Sequence, residues 1–172
     1  RQSGKTVKSL EAAIEWGGVN AQMPAVTILE LEFQGDFWIA AQAGMISGGL
    51  ECIDFDDPET YAPWRDTLEA YRFKDLLEKL YVQQTPSGGY HVVYRCEKPD
   101  GNLKLAEKWG DDAKEVRIET RGEGGYFLIA PSPGYKCCQG SLAKLQSLTT
   151  LQRRMLLDAA KTFDVAPKKP YV

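Results

Sequence analysis

Residues 50–57 read Leu-Glu-Cys-Ile-Asp-Phe-Asp-Asp (LECIDFDD), a β-prone stretch that ends in acidic residues. Its composition predicts a strand. Because side chains alternate across a strand, Asp54 and Asp56 share one face about 7 Å apart, while Ile53 and Phe55 point the other way. Two carboxylates on one rigid strand can share divalent cations, which prefer oxygen ligands. The pattern fits a solvated strand end equally well, so alone it leaves both interpretations open.

A glycine-rich turn followed by a histidine forms the second segment, residues 85–95 (TPSGGYHVVYR). Its small residues leave backbone amides accessible, and such amides can cradle a phosphate. His91 and Arg95 share one face of the strand predicted after the turn. A lone histidine is usually structural, but its position directly after this turn favours a functional role.

Alternating charges mark the third segment, residues 115–121 (EVRIETR). Arg117, Glu119 and Arg121 point to one side of the predicted strand and apolar residues to the other. An ordinary amphipathic strand with its charges in water would look the same. However, the Glu119 carboxylate can complete a metal site begun by the two aspartates, and Arg121 beside it can hold a phosphate.

Weaker patterns predict the remaining elements. The predicted helices cover residues 9–16, 26–33, 66–81 and 149–163, and the predicted strands cover residues 37–43, 50–56, 82–85, 90–96, 116–121 and 126–130. The last two strands are expected to form a hairpin, and residues 97–113 a loop with at most one helical turn. Thr149 or Thr150 is the expected N-cap of the last helix. Interleaved helices and strands favour one two-layer α/β domain.

Composition narrows the classes of protein further. The 172 residues are 43% hydrophobic, which suits one domain with a substantial core. The net charge of −3 is not the basic balance of a protein that binds DNA strongly by itself. No apolar run approaches the roughly 20 residues that span a bilayer, so no membrane association is expected. Because the sequence starts at Arg1, we expect a piece cut from a longer polypeptide.

Two other site types have little support. The four cysteines form no CxxC pair and the chain has one histidine, so we expect no zinc site and reduced cysteines in a cytosolic protein. Residues 3–6 (SGKT) end like a phosphate-binding P-loop, but the leading glycine and the preceding strand are missing.

In their order along the chain, the three segments resemble the bifunctional primase-polymerase (prim-pol) domains of phages and plasmids, in the archaeo-eukaryotic primase superfamily. The family pattern runs SGGL-x-x-(I/V)-D-x-D, then TPSGG-x-H, then (I/V)-(D/E)-x-R-G-x-GGY, and ends in APS. The matching stretches are residues 47–56, 85–91 and 118–132. The resemblance implies one catalytic domain over residues 1–172, with a core at 37–163, a poorly matched part at 1–36, and an α+β fold with an RRM-like sheet backed by helices.

The resemblance also implies roles for individual residues. The family's first and third segments supply metal-binding carboxylates, which correspond here to Asp54, Asp56 and Glu119. The third carboxylate is commonly Asp in the family, so Glu119 is a departure that would shift the metal. The histidine of the second segment, His91, would bind the triphosphate of the incoming nucleotide, and Ser87 and Gly89 lie in the same phosphate-binding stretch.

The implied activity is template-dependent nucleotidyl transfer in phage or plasmid DNA replication. Two Mg²⁺ or Mn²⁺ ions would assist attack of a 3′-hydroxyl on the α-phosphate of a dNTP or NTP. The implied partners are a single-stranded DNA template and a fused or separate helicase, in the cytoplasm of a bacterial or phage-infected cell.

Other functions remain open at this level. A non-catalytic single-stranded nucleic-acid-binding module would use exposed aromatics and a basic surface, which the acidic balance does not favour. A metal-dependent nuclease would use similar carboxylates. A rolling-circle replication endonuclease usually needs paired histidines, and the chain has one.

Overall fold

The computed structural model describes residues 38–166, and strands form most of the regular structure in that range. The strands are β1 (Ile39–Gln42), β2 (Leu50–Phe55), β3 (Tyr81–Gln84), β4 (Tyr90–Cys96), β5 (Lys104–Trp109), β6 (Lys114–Arg121), β7 (Tyr126–Ile129), β8 (Lys136–Gln139) and β9 (Ser147–Leu148). The helices are α1 (Tyr61–Ala70), α2 (Lys74–Leu77) and α3 (Thr150–Lys161), with 3-10 turns at Met45–Ser47, Pro58–Thr60 and Leu142–Lys144. The helices predicted at 9–16 and 26–33, and the SGKT stretch, lie outside the described residues.

The strands form one large sheet and one small one. The large sheet has the order β5-β6-β2-β4-β3-β8, and β9 adds a short parallel pairing to β4. The small sheet pairs β1 with β7. In the large sheet β2 lies between β6 and β4 and is antiparallel to both. The segments singled out in the sequence therefore meet at the centre of one sheet.

The helices cover one face of the large sheet. Trp64 of α1 and Leu156 of α3 are fully buried there against Ile53 and Phe55. A smaller apolar cluster on the opposite face includes Cys52, Val93 and Phe127, and through Phe127 the small sheet covers part of that face. The antiparallel sheet backed by helices confirms the predicted α+β fold.

The helix predicted over residues 66–81 was wrong in both its start and its continuity. The chain already turns at Pro58–Thr60, where the Asp57 side chain accepts a hydrogen bond from the Glu59 N–H, and α1 follows directly. Helix α1 ends where Arg72 takes a left-handed conformation with φ of 66°. The Phe73 N–H donates a hydrogen bond back to the Leu68 carbonyl at 3.0 Å. This closure of the last turn separates α1 from α2.

The loop predicted over residues 97–113 was also wrong, because β5 lies within it. Two shifts of register between β5 and β6 interrupt the alternation of side chains. Leu105 and Ala106 are consequently both buried although they are neighbours in sequence. A strand with such bulges lacks the regular alternation of apolar and polar residues by which strands are recognised in a sequence.

The hairpin predicted for the strands at 116–121 and 126–130 does not form. The connecting turn is held by another loop instead: the Gly122 N–H donates to Asn102 Oδ1 at 3.1 Å and the Glu123 N–H to the Asp100 carbonyl at 2.6 Å. Strand β7 therefore leaves β6 and pairs with β1. Strands β8 and β9 were not predicted. The capping box of Thr149 and Gln152 at the start of α3 confirms the predicted N-cap.

Candidate active site

The central strands place a row of polar side chains on the sheet face that points away from the helices. Asp54 of β2 lies between Glu119 of β6 and His91 of β4, directly opposite each of them. Gln83 of β3 extends the row, since it lies opposite His91. Residues directly opposite each other in antiparallel strands point to the same face. Asp56 follows the end of β2 on the same side. The structure thus brings together the three carboxylates and the histidine singled out in the sequence.

The three carboxylates form a compact cluster. One oxygen each from Asp54, Asp56 and Glu119 lies within 4.8 Å of the others. Asp54 is buried, Glu119 is half-buried and Asp56 is exposed. Carboxylate oxygens are the ligands that Mg²⁺ and Mn²⁺ prefer, so the donor set fits a divalent cation.

Arg121 brings a positive charge to this cluster. Its Nε atom lies 3.5 Å from Asp54 Oδ2, and its Nη2 atom donates to Glu119 Oε1. The guanidinium therefore offsets part of the repulsion among the carboxylates. It also lines the adjoining cavity.

Asp56 and Glu119 each have a pKa above that of an isolated carboxylate. Partial burial of the Asp56 carboxyl group, together with the charges of Asp54 and Glu119, raises its pKa from the usual 3.8 to about 6, although the residue as a whole is exposed. Burial also raises the pKa of Glu119, against the opposing effect of Arg121. Like charges at close range and partial desolvation both favour the neutral acid. A bound cation would reverse this balance.

His91 lies next to the cluster and is buried. Its Nε2 atom lies 3.3 Å from Asp54 Oδ1, and its Nδ1 atom lies 2.9 Å from the Gln83 amide nitrogen. Its ring meets the Phe127 ring edge to face at 5.7 Å between centroids and the Tyr135 ring at 5.8 Å. The histidine is thus held at a defined position on the wall of the site.

A cavity of about 540 Å³ opens beside these residues. Asp54, His91 and Arg121 are among its polar lining, and Phe127 and Tyr135 are among its aromatic lining. This volume lies within the range of small-molecule sites. The arrangement suits a ligand that carries both negative charge and a flat ring.

A comparison with known protein families shows to which family the chain belongs. The family model described as "Bifunctional DNA primase/polymerase, N-terminal" matches residues 20–149. The chain belongs to this prim-pol family. A search of curated proteins found no match. The family relationship confirms the resemblance on which the sequence analysis relied, and it identifies a domain of the primase/polymerase class.

The glycine-rich turn of this prim-pol domain packs against the end of β2. A Cβ atom on Gly89 would lie 2.2 Å from the Phe55 carbonyl oxygen, so only glycine fits there. Thr85 Oγ1 and Ser87 Oγ lie 3.0 Å apart within the turn, and Ser87 is exposed. Within residues 38–166, the cavity lining includes neither Ser87 nor Gly89. The turn lies beside the carboxylate cluster but outside the cavity.

Arg95 shares a face of β4 with His91, as its spacing predicted, but its guanidinium binds backbone carbonyls of the protein. Its Nη1 atom donates to the carbonyls of Ser47 and Gly48, with a distance of 2.9 Å to Gly48. The SGG stretch of the prim-pol pattern is thereby anchored to β4.

Sequence reasoning did not single out Gln83, which touches His91, or Tyr135, which lines the cavity. Gln83 lies within a predicted strand, but no local pattern distinguishes it from its neighbour Gln84. Its position opposite His91 follows from the register between β3 and β4. Pairing the two predicted strands around the turn at 86–89 would have placed Gln83 opposite His91 from the sequence.

Proposed function

We propose that the chain is a template-dependent nucleotidyltransferase, a primase-polymerase of phage or plasmid replication. In this reaction a 3′-hydroxyl attacks the α-phosphate of a dNTP or NTP and pyrophosphate leaves. The observation that supports the proposal most is the convergence of Asp54, Asp56 and Glu119 beside His91, in a prim-pol domain.

The carboxylate cluster would hold two Mg²⁺ or Mn²⁺ ions. When bound, the ions supply charge neutralisation for the phosphates and lower the pKa of the attacking hydroxyl. Asp54 and Glu119 lie on paired central strands, so their positions are set by the sheet. Such rigid placement favours catalysis because little reorganisation accompanies the reaction.

The neighbouring residues would bind the nucleotide. His91 faces the cavity and can donate a hydrogen bond to the triphosphate. Arg121 can contact a carboxylate and a phosphate together, since a guanidinium has five N–H groups. Ser87 and Gly89 would contact the phosphate chain from the turn beside Asp56.

The family relationship supports a proposal about the template, the partner and the cellular location. The template would be single-stranded DNA, and a helicase, fused or separate, would expose it. We propose that the reaction takes place in the cytoplasm of a bacterial or phage-infected cell, and that residues 1–172 form one catalytic domain with its core at 37–163. None of the helices within residues 38–166 is long and apolar enough to cross a membrane.

Incorporation of labelled dNTPs and NTPs on single-stranded DNA tests the proposal, with and without a primer, in Mg²⁺ and in Mn²⁺. Wild type should form products, and Asp54→Ala, Asp56→Ala and Glu119→Gln should each lower the rate by about a hundredfold or more. Glu115→Gln is the matched control, because Glu115 lies on the same strand outside the cluster, and it should retain activity.

The outcomes separate the competing functions. Extension at the wild-type rate by Asp54→Ala or Asp56→Ala would contradict the proposal. Metal-dependent strand cleavage without incorporation would support a nuclease instead. Binding of single-stranded DNA with neither reaction would support a non-catalytic module.

A further inference from the structure

Gln83 is a fully buried polar side chain whose amide is completely hydrogen-bonded. Its Oε1 atom accepts from the Ala130 N–H at 2.9 Å and from the Tyr81 hydroxyl at 3.0 Å. Its Nε2 atom donates to the Leu128 carbonyl at 2.7 Å and lies 2.9 Å from His91 Nδ1. Two acceptor positions and two N–H groups are thus all used.

These partners determine which way round the amide lies. The Ala130 N–H can only donate, so its partner must be the amide oxygen. The Leu128 carbonyl can only accept, so its partner must be the amide nitrogen. The group next to His91 is therefore an N–H donor. An amide nitrogen accepts no hydrogen bond, and any rotation of the amide would break both backbone contacts at once.

The amide in turn determines the tautomer of His91. Because Nδ1 accepts the Gln83 N–H, the neutral ring carries its proton on Nε2. That atom points toward Asp54, 3.3 Å from Oδ1, on the wall of the cavity. The Phe127 and Tyr135 rings restrict rotation of the imidazole. The Nε2–H group therefore faces the Asp54 carboxylate at the cavity wall, and a phosphate bound there would share this donor with Asp54 or take it over.

We propose that Gln83 is a positioning residue that holds His91 in the Nε2-protonated tautomer and so presents a hydrogen-bond donor to the phosphate chain of the nucleotide. The phosphate part of this inference rests on the proposed function, whereas the tautomer rests on the hydrogen bonds alone. Gln83 acts entirely through His91. Its other contacts, to Leu128 and Ala130, also join β3 to the end of β7, so a purely structural role must be distinguished by experiment.

The tautomer can be measured in the wild-type protein without any catalysis. The chain has one histidine, so ¹⁵N-histidine labelling yields one pair of ring signals. A long-range ¹H–¹⁵N correlation spectrum, recorded where titration of these signals shows the ring to be neutral, should show Nδ1 unprotonated and Nε2 protonated. A proton on Nδ1 would overturn the inference whether or not the chain is a polymerase.

Nucleotide binding tests the consequence for the phosphates. With Ca²⁺ in place of the reactive metals, Gln83→Met should weaken binding of dATP by about tenfold and leave binding of dAMP unchanged, because a hydrogen bond to a charged group is lost. In a His91→Ala background the same change should add nothing further. Gln139→Met is the matched control: Gln139 also donates from its amide to two backbone carbonyls, of Leu77 and Leu80, and within residues 38–166 its side-chain hydrogen bonds do not involve His91.

Each outcome decides one part of the inference. Unchanged dATP binding by folded Gln83→Met, or an equal loss in the His91→Ala background, would overturn the positioning role. Urea unfolding shows whether the variant folds, and if it does not, the wild-type spectrum still decides the tautomer. Absence of dATP binding by wild type would count against the proposed function and the phosphate contact, and not against the tautomer.

Discussion

Asp56 stands just past the end of β2, where two other carboxylates lie within reach of the same cation. Its pKa is raised from the usual 3.8 to about 6, first by burial and then by its neighbours. The folded protein without metal therefore holds this proton more tightly than the unfolded chain does. The contribution of Asp56 to stability is present at low pH and is lost as the pH rises from about 4 through about 6.

We expect cation binding to show the opposite dependence on pH. Binding must displace the Asp56 proton, so the affinity for Mn²⁺ should fall by up to about tenfold for each pH unit below about 6 and level off above it. Calorimetric titration with Mn²⁺ at about pH 5, 6 and 7.5 measures this. Asp56→Asn should bind more weakly above pH 6 and with a flatter profile. A wild-type affinity that does not change over this range would contradict the assignment of Asp56 as a ligand.

At the scale of elements, α3 is tied to the central strand by a buried ion pair. Arg153 contacts both carboxylate oxygens of Glu51, at 2.6 and 2.7 Å. Glu51 is fully buried on the helix side of β2 and also accepts from the Tyr94 hydroxyl at 2.7 Å. The pair lies on the opposite face of the sheet from the carboxylate cluster, because Glu51 and Asp54 belong to the same strand and point to opposite faces.

Arg153→Met should destabilise the fold by roughly 3–5 kcal/mol, because it leaves the Glu51 charge buried without its partner. Urea unfolding measures the loss. The neighbouring Arg154 pairs with Asp158 at the surface, with 76% of its side chain exposed, so Arg154→Met should cost less than about 1 kcal/mol. Equal effects of the two substitutions would show that the buried pair contributes little.

At the scale of the whole molecule, the folded unit extends beyond the family match. The match ends at residue 149, and α3 begins at the next residue. Leu156 and Ala160 of α3 are fully buried in the main core, and the Trp64 indole donates to the Leu156 carbonyl at 3.0 Å. The helix therefore completes the core that supports the site, although its own side chains lie on the opposite face of the sheet.

A chain that ends at residue 149 should lack cooperative unfolding, because each lost apolar side chain removes roughly 1.5–3 kcal/mol from a total stability of about 5–15 kcal/mol. Circular dichroism during urea titration tests this. In the full chain, Leu156→Ala should cost roughly 2–5 kcal/mol, whereas Leu151→Ala, at a residue that is 66% exposed, should change stability by less than about 0.5 kcal/mol. Wild-type stability of the shortened chain would show that α3 is dispensable.

The parts of this fold that the sequence could predict are those with short-range signals. The strands at 50–56 and 90–96 combine β-prone composition with regular alternation, and the structure has them within one residue of the predicted bounds. The start of α3 depends on a cap formed by Thr149 and a residue three positions later. Where bulges interrupt alternation, as in β5, or a left-handed residue ends a helix, as at Arg72, local patterns predicted the wrong element.

The local sequence is enough to predict which side chains share a face: Asp54 with Asp56, and Glu119 with Arg121, because alternation along a strand is a property of the local backbone. Which strands are neighbours, and in what register, depends on the folded molecule. The pairing of β2 with β6 and β4 brings Glu119 and His91 opposite Asp54, and the pairing of β3 with β4 places Gln83 beside His91. Register depends on contacts between residues far apart in the chain, and burial of one sheet face selects it.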